Sequence, residues 1–351
     1  MMFILFGDSY EVIIVGSGIA GSALAYHMHP FLDYLIFTDQ KSPMRNTSSF
    51  SYGHCRVISP EGLEEIVRRS VSQLGEDREK MNFVYMRTHY VTELLDELSI
   101  GYIPRSFGVI PSGRRRGGPV ILERIQKKIP YIKTDVRLLG FTRDKDRFEV
   151  SLRTPDGEKT VKTDKLVIAT GGYAGSFDNT DNFRYKNYSI FDMVRMNGGN
   201  IINLDCIFTH PFGYDRGRRI LIGKDAKKGD FVDKRGRFVF NKKIRSMIKE
   251  DRYHEIFHLL LAEADECRAR GSQVYFVSGS RREEITPCVH YTSGGIETNY
   301  LGEVKGCRNL FAVGECQANG SKNNGRFPGY PFTSAIVYGK ELARHLSDSR
   351  R

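Results

Sequence analysis

Apolar positions in this chain fall in short runs separated by polar, glycine-bearing turns. Residues 10–15, Tyr-Glu-Val-Ile-Ile-Val, form a β-branched run that predicts a buried parallel strand. Gly16-Ser17-Gly18-Ile19-Ala20-Gly21 follows at once, and residues 22–28 then read as helix. A second apolar run at 34–38 ends at Asp39. Residues 42–60 are polar and turn-rich, and 61–100 carry helical periodicity mixed with charge. An amphipathic helix is expected at 119–128 and short strands at 136–140 and 148–152. Thr154-Pro155-Asp156-Gly157 is a turn signal, so 147–163 reads as a β-hairpin. The apolar run at 166–168 passes into Ala169-Thr170-Gly171-Gly172, and a helix at 191–196 is broken by Gly198-Gly199. Residues 211–285 are far more charged, with basic helices and a charged turn at 233–237. Strand character returns at 309–315, followed by a Gly/Asn-rich loop and a helix over about 333–345.

The first of these patterns is the most informative. It is strand, GxGxxG, helix, strand and acid in order, with Asp39 standing 18 residues past Gly21. Gly16 permits the tight turn, Gly18 lets backbone approach a pyrophosphate, and Gly21 lets helix and strand pack closely. The helix N-terminus then faces the phosphates, and Asp39 accepts from the ribose hydroxyls. Ala169-Thr170-Gly171-Gly172 brings bare backbone to the same dinucleotide. The expected class is α/β, a Rossmann-like dinucleotide domain over 1–210 and 286–351, interrupted by a smaller α+β capping domain over 211–285. A last strand and helix supplied after an insertion suit a flavoprotein better than an NAD dehydrogenase.

The chain has 351 residues, enough for two domains, and its 40% hydrophobic content with 27% charged residues excludes a disordered polymer. No run of about 18 apolar residues predicts a membrane span. The opening Met-Met-Phe-Ile-Leu-Phe is too short for a signal core and lacks a basic flank. The six cysteines, at 55, 206, 267, 288, 307 and 316, form no CxxC and share no metal spacing with histidine, so reduced thiols in a cytoplasmic protein are expected, with no metal. A net charge of +11 favours anionic partners. Arg114-Arg115-Arg116 could serve nucleic acid, but without aromatic–basic interleaving it reads as a solvated loop.

Four blocks together resemble the L-aspartate oxidase, fumarate reductase and succinate dehydrogenase flavoproteins. They are the GxGxxG unit; Asn46-Thr47 with Gly53; Phe208-Thr209-His210-Pro211; and His290-Tyr291-Thr292-Ser293-Gly294-Gly295-Ile296 with Gly314-Glu315, Arg326 and Gly339. The resemblance implies a glutathione reductase-like fold, and non-covalent FAD because Asn46 stands where covalent members have His. It implies a cofactor set of Gly16, Gly18, Ile19, Ala20, Gly21, Asp39, Gln40, Asn46, Thr47, Gly53, Val136, Ala169, Thr170, Gly171, Gly314, Glu315 and Thr333. Glu315 would hold ribityl hydroxyls, and the helix beginning near Thr333 would aim its N–H groups at the flavin pyrimidine edge.

His210, His290 and Arg326 match positions that bind substrate carboxylates, chemistry that suits an Arg fork and imidazole N–H groups. The family's cap arginine, a proton donor or charge stabiliser, has Arg252 and Arg245 as candidates here. Phe208 replaces the family's Gln and Gly223-Lys224 its Thr-Glu, and Lys224 would suit a more anionic substrate. The C-terminal helical extension of long members is not expected. The implied activity is hydride transfer between flavin N5 and a small carboxylic acid, either L-aspartate or a succinate/fumarate pair, with the electron acceptor open. A ketosteroid- or isoprenoid-type dehydrogenase, suggested by Gly329-Tyr330-Pro331, and a flavoprotein acting on nucleic acid are the alternatives.

Overall fold

The computed structural model describes residues 6–105, 107–113, 115–185, 188–221, 223–250, 252, 256–319 and 326–348. The first five residues, Arg114 and the side chain of Lys224 therefore lie outside what is described.

The chain opens with β1 (Ser9–Val15), α1 (Ile19–Met28), β2 (Tyr34–Phe37) and β3 (Cys55–Arg56). Helices α2 (Leu63–Leu74), α3 (Arg78–Tyr85) and α4 (His89–Glu97) follow, then β4 (Tyr102–Arg105), β5 (Gly108–Pro111) and α5 (Gly117–Gln126). Next come β6 (Arg137–Asp144), β7 (Arg147–Thr154), β8 (Gly157–Ile168), α6 (Ser189–Met196), β9 (Ile201–Ile202), β10 (Ile207–Tyr214) and β11 (Arg219–Ile220). The remainder is α7 (Gly223–Ala226), β12 (Asp230–Val232), α8 (Lys242–Lys249), α9 (Phe257–Ala269), β13 (Val274–Ser278), β14 (Arg281–Thr292), β15 (Gly295–Ile296), β16 (Leu310–Ala312) and α10 (Tyr330–Asp348).

Two compact units result. The first comprises Met1–Gly172, Asn187–Cys206 and Thr292–Arg351; the second comprises Tyr173–Lys186 and Ile207–Tyr291. The division differs from the expected one at 211 and 285 because β10 and β14 are unbroken strands of 8 and 12 residues. A boundary at 210 or 285 would cut both. Residues 173–186 join the second unit through a bridge from Thr180 to Val289, which their polar, turn-rich sequence does not announce.

The first unit is built on a six-stranded sheet in the order β2-β1-β8-β7-β6, with β16 pairing β8. β1 runs parallel to β2 and β8, and β16 parallel to β8, whereas β6, β7 and β8 are antiparallel. The predicted hairpin limb and the apolar run at 166–168 are one 12-residue strand, β8. Its burial follows from its partners. The limb beside β7 alternates, and Leu166-Val167-Ile168, lying between β1 and β16, are fully buried. Helix α1 is made of small apolar residues and buries Ala20, Ala23, Leu24 and Ala25. This lets α10 come close: a Cβ at Gly339 would stand 2.8 Å from that of Ala23 and 2.9 Å from the Leu24 nitrogen.

The second unit holds a five-stranded sheet, β11-β10-β14-β13-β12. Phe212, Phe231, Phe240 and Phe276 pack its core with Ile244 and Ile248 of α8 and Leu260 of α9. Each of the six cysteines is free and buried. Among the described residues no helix is long and apolar enough to cross a membrane, and no His/Cys/Asp/Glu group could hold a metal ion.

One feature of the first unit breaks the pattern of apolar burial. Between α2, closed by Gly75 at φ 69°, and α3, capped by Asp77, sits Glu76 at 4% exposure. Asn319 Nδ2 donates to its Oε1 at 3.0 Å, and Lys80 Nζ donates to the Ala318 carbonyl at 2.7 Å. The α2–α3 corner thus pins residues 318–319. Burial raises the Glu76 carboxyl from the usual 4.5 to about 8, against the smaller opposing pull of Ser70 and Arg56. The native state therefore keeps a proton that the unfolded chain has released above about pH 4.5, so this contribution to stability is lost as pH rises from about 4.5 to 8. Glu76→Gln should remove that slope. Urea unfolding from pH 5 to 8 should show the variant gaining on wild type by at most about 1.4 kcal/mol per pH unit. A gap that does not change with pH would show that Glu76 is ionised in the fold.

Candidate functional site

In the first unit, the expected cofactor residues collect at the C-terminal ends of the parallel strands β1, β2, β8 and β16, where open α/β sheets bind ligands. Gly16 leaves β1 at φ 114°, and a Cβ there would stand 2.4 Å from the Ala169 carbonyl oxygen. A Cβ on Gly21 would stand 2.0 Å from the Gly16 oxygen. These two glycines are required by the protein's own backbone. Gly18 is different: its Cβ would meet only Ser48 Oγ, at 3.5 Å. Gly171, at φ 77°, has nothing within 4 Å of such an atom. Bare backbone thus borders open space at both positions. Gly18 caps α1 without a side-chain hydrogen bond, the first turn carries no acid, and the Ile19 N–H donates to Ser48 Oγ at 3.1 Å. The positive end of α1 is therefore set for an anion, and the residues fit a dinucleotide pyrophosphate.

Asp39, Gln40 and Val136 form one corner beyond β2. Gln40 Nε2 donates to Asp39 Oδ1 at 2.9 Å, and the Asp135 and Val136 N–H groups donate to the Gln40 and Thr38 carbonyls. Asn46 caps the turn of 3₁₀ helix over Thr47–Phe50, its Oδ1 accepting from the Ser49 N–H. Gly53, at φ 69°, brings this loop onto the start of α5, where its Cβ would stand 2.4 Å from the Gly118 nitrogen. Beyond β16, Gly314 at φ 79° rests against Ala20, and Glu315 Oε1 accepts from the Thr292 N–H at 3.0 Å and its hydroxyl at 3.1 Å. Thr170 continues β8 between Ala169 and Gly171.

Thr333 departs from expectation. Helix α10 begins at Tyr330, so Thr333 lies one turn inside it, fully buried. Its N–H donates to the Gly329 carbonyl and its hydroxyl to the Arg56 carbonyl at 2.8 Å. The helix starts about three residues earlier than expected, because Pro331 is favoured in a first turn. Arg56 secures the approach to this helix: its Nε donates to the Pro328 carbonyl at 2.9 Å, and its guanidinium lies 5.4 Å from the Phe327 ring. The neighbouring Arg326 is partly buried. Burial, then the charges of Arg105 and Arg326, push His54 down to about 4, so His54 is neutral at pH 7. Sequence reasoning missed His54 and Ser48, although Ser48 lies in the Asn-Thr-Ser-Ser run that marked the loop.

In the second unit, β10 alternates so that Phe208, His210 and Phe212 share a buried face. The Phe212 N–H donates to His210 Nδ1 at 3.2 Å. His290, on β14, has Nδ1 at 2.9 and 3.0 Å from the two carboxylate oxygens of Asp181. Asp181 is fixed on either side: Thr180 donates to the Val289 carbonyl and Asn182 Nδ2 to the His290 carbonyl, both at 2.8 Å. Burial raises the Asp181 carboxyl, but the charges of His290 and His210 and the hydrogen bond to His290 outweigh it, leaving it below its usual value. The two imidazoles lie edge to face, with centroids 5.9 Å apart, walled by Phe257 and Phe208. Asp181 carried no signal in the sequence, because its partner lies 109 residues away. Of the cap arginines, Arg252 is half exposed and paired with Glu250 at 3.3 Å, and Arg245 stacks on Phe238 at 3.8 Å.

Residues 262–330 match the FAD binding domain family. The L-aspartate oxidase of Halalkalibacterium halodurans is 22% identical over 97% of this chain and 73% of its own length. That of Pyrococcus horikoshii is 26% identical over 81% of this chain, which spans 62% of it. The fold matches E. coli quinol fumarate reductase FrdA at TM-score 0.79 and 17% identity, covering 97% of this chain and 70% of that one. The chain resembles these FAD-dependent flavoproteins over most of its length. FAD is accordingly the cofactor of this flavoprotein. A 3-ketosteroid delta1-dehydrogenase from Sterolibacterium denitrificans shares the flavoprotein's fold at TM-score 0.75 and 10% identity, covering 98% of this chain and all of that one.

The glycines divide into two classes that mutation should separate. Gly18→Ala should leave the unfolding midpoint of the FAD-free flavoprotein unchanged and weaken FAD binding by about 1–3 kcal/mol, the usual cost of overpacking. Gly16→Ala should lower the midpoint itself. Paired urea and FAD titrations check this, and equal damage to folding by both would contradict it.

Proposed function

We propose that the flavoprotein is an FAD-dependent oxidoreductase that oxidises a small carboxylate-bearing substrate, L-aspartate or a succinate-like acid, with L-aspartate favoured. The observation that carries this is a histidine cluster with a partly buried carboxylate, His210, His290 and Asp181, in a chain whose other unit turns on Gly16 and Gly21 and presents bare backbone at Gly18 and Gly171. The L-aspartate oxidases it resembles supply the substrate class. FAD, when bound, supplies the two-electron acceptor. Arg326 offers a planar fork that pairs with a carboxylate, and His210 donates from the ring nitrogen opposite the one the Phe212 N–H occupies. The Asn46 amide is taken up in capping a turn and gives no ring nitrogen for attachment, so FAD is held non-covalently. Six buried free thiols accord with a cytoplasmic location. With no cap arginine assigned, positioning and electrostatics are the main sources of rate.

Anaerobic mixing with L-aspartate, succinate and other small acids, following the flavin's visible absorbance, tests this directly. Bleaching by a dicarboxylate is expected, and a flavoprotein that none of them reduces contradicts the proposal. Arg326→Lys should keep FAD and lose about 10–100-fold in kcat/KM, the loss of a bidentate charge-assisted pair. Full activity in that variant would reduce Arg326 to a point charge, and loss of FAD would make it structural.

A further inference from the structure

The first unit holds a row of arginines that no carboxylate answers. Strand β3 pairs Arg56 with Gly108 of β5, and β4 pairs Arg105 with the same glycine. Residues paired across strands share a face, so the two arginines stand about 10 Å apart at the backbone with no side chain between them. A side chain is also excluded there: Gly108 has φ 149°, and a Cβ would stand 2.1 Å from the Cys55 carbonyl oxygen. Aromatic rings link the cations in a chain. The Arg69 and Arg56 guanidinium groups lie 5.3 and 5.4 Å from the Phe327 ring, Arg56 lies 5.6 Å from the Phe107 ring, and Phe107 meets His54 at 5.4 Å. The charges of Arg105 and Arg326 both act on His54.

Arg56 is buried without a counter-charge. It is 7% exposed, its Nε donates to the Pro328 carbonyl at 2.9 Å, and its terminal nitrogens make no hydrogen bond among the described residues. Among the described residues Arg56, Arg69 and Arg105 form no ion pair, whereas Arg68, Arg87 and Arg115 of the same unit each meet a glutamate within 3.3 Å. Glu76 acts on Arg56, but burial keeps that carboxyl protonated up to about pH 8. Stacking on two rings offsets part of the cost of burying a cation, and the remainder calls for an anion.

We propose that Arg56, Arg69 and Arg105 form an anion subsite beside Arg326, which takes a small acid carrying at least three negative charges, a tricarboxylate or a phosphorylated carboxylic acid. Arg56 supplies two terminal nitrogens at the buried end, Arg105 stands exposed at the other, and Arg69 faces Arg56 across Phe327. A planar guanidinium fork suits carboxylate and phosphate oxygens alike. L-aspartate or succinate, with two carboxylates, fills such a row only in part. The anion site stands on the geometry of the first unit alone. Its assignment to the substrate rests on the reading that the flavoprotein oxidises a small acid, and it narrows that class toward the more highly charged members.

Calorimetric titration of the FAD-loaded flavoprotein with tricarballylate, O-phospho-L-serine and succinate tests the site. Tricarballylate or O-phospho-L-serine should bind one per chain and about 10-fold or more tighter than succinate, and the tighter of the two tells a carboxylate site from a phosphate site. Arg69→Gln and Arg105→Gln should each cut that preference about 10-fold, the loss of one charge-assisted pair. These two variants carry the test, because Arg56→Gln also loses the Pro328 contact and can fail to fold. Arg68→Gln, whose side chain meets Glu65, should keep the preference. Succinate binding as tightly as both probes, or a preference that survives in Arg69→Gln and in Arg105→Gln, overturns the site. The flavin's visible absorbance separates the two readings. Bleaching by L-aspartate with no preference among the acids refutes the subsite and leaves a small-acid oxidoreductase standing. Tight tricarballylate binding that the arginine variants lose, in a flavoprotein that no small acid reduces, keeps the anion site and overturns its assignment to the substrate.

Discussion

The arrangement depends on a place where three stretches of backbone leave no room for a side chain. At the end of β1, Gly16 turns with its α-carbon against the Ala169 carbonyl, and Gly21, at the start of α1, sits against the Gly16 carbonyl. This close approach sets where β8 ends relative to β1 and where α1 begins over the sheet. It also leaves Gly18 and Gly171 as bare backbone facing open space. The same economy recurs behind α1, where Gly339 admits α10. The cradle is therefore a by-product of packing: helix and strands close enough to exclude Cβ atoms leave their N–H groups uncovered toward a phosphate.

Around this rigid centre, the chain uses buried polar groups to fix loops that lack secondary structure. Glu76 and Lys80 hold residues 318–319, Arg56 holds 327–329 and the first turn of α10, and Asn46 closes the turn after Pro43. Each is a charged or amide side chain meeting backbone or another amide, and each would be costly to leave unpaired. In the second unit the same device holds a group with chemistry of its own. Thr180 and Asn182 fasten a short segment to β14, and the residue between them, Asp181, meets His290.

What could be seen in the sequence was local. The GxGxxG turn, the acid after β2, the Ala-Thr-Gly-Gly end of β8 and the amphipathic α5 each declare themselves within a window of a few residues. The start of α10 did not, because Pro331 reads equally as a stop and as a first-turn residue. The unit boundary did not, because the charge that marks 211–285 begins part-way along strands whose pairing, not composition, decides where they belong. Asp181 and Glu76 were invisible for one reason: a carboxylate in a polar stretch looks solvated until tertiary pairing buries it. His210 and His290 were found through resemblance, and their different partners, a backbone N–H and the Asp181 carboxylate, could be read only from the structure.

The central claim is that the ends of β1, β2, β8 and β16 form a cradle for a whole dinucleotide and not merely for a flavin ring. Titration of the flavin-free protein with FAD and with FMN, followed by flavin fluorescence, tests it most directly. FAD should bind one per chain and FMN far more weakly, because FMN lacks the adenosine half that the corner at Asp39 and Gln40 would hold. FMN binding as tightly as FAD, or failure of both to bind, would contradict the account.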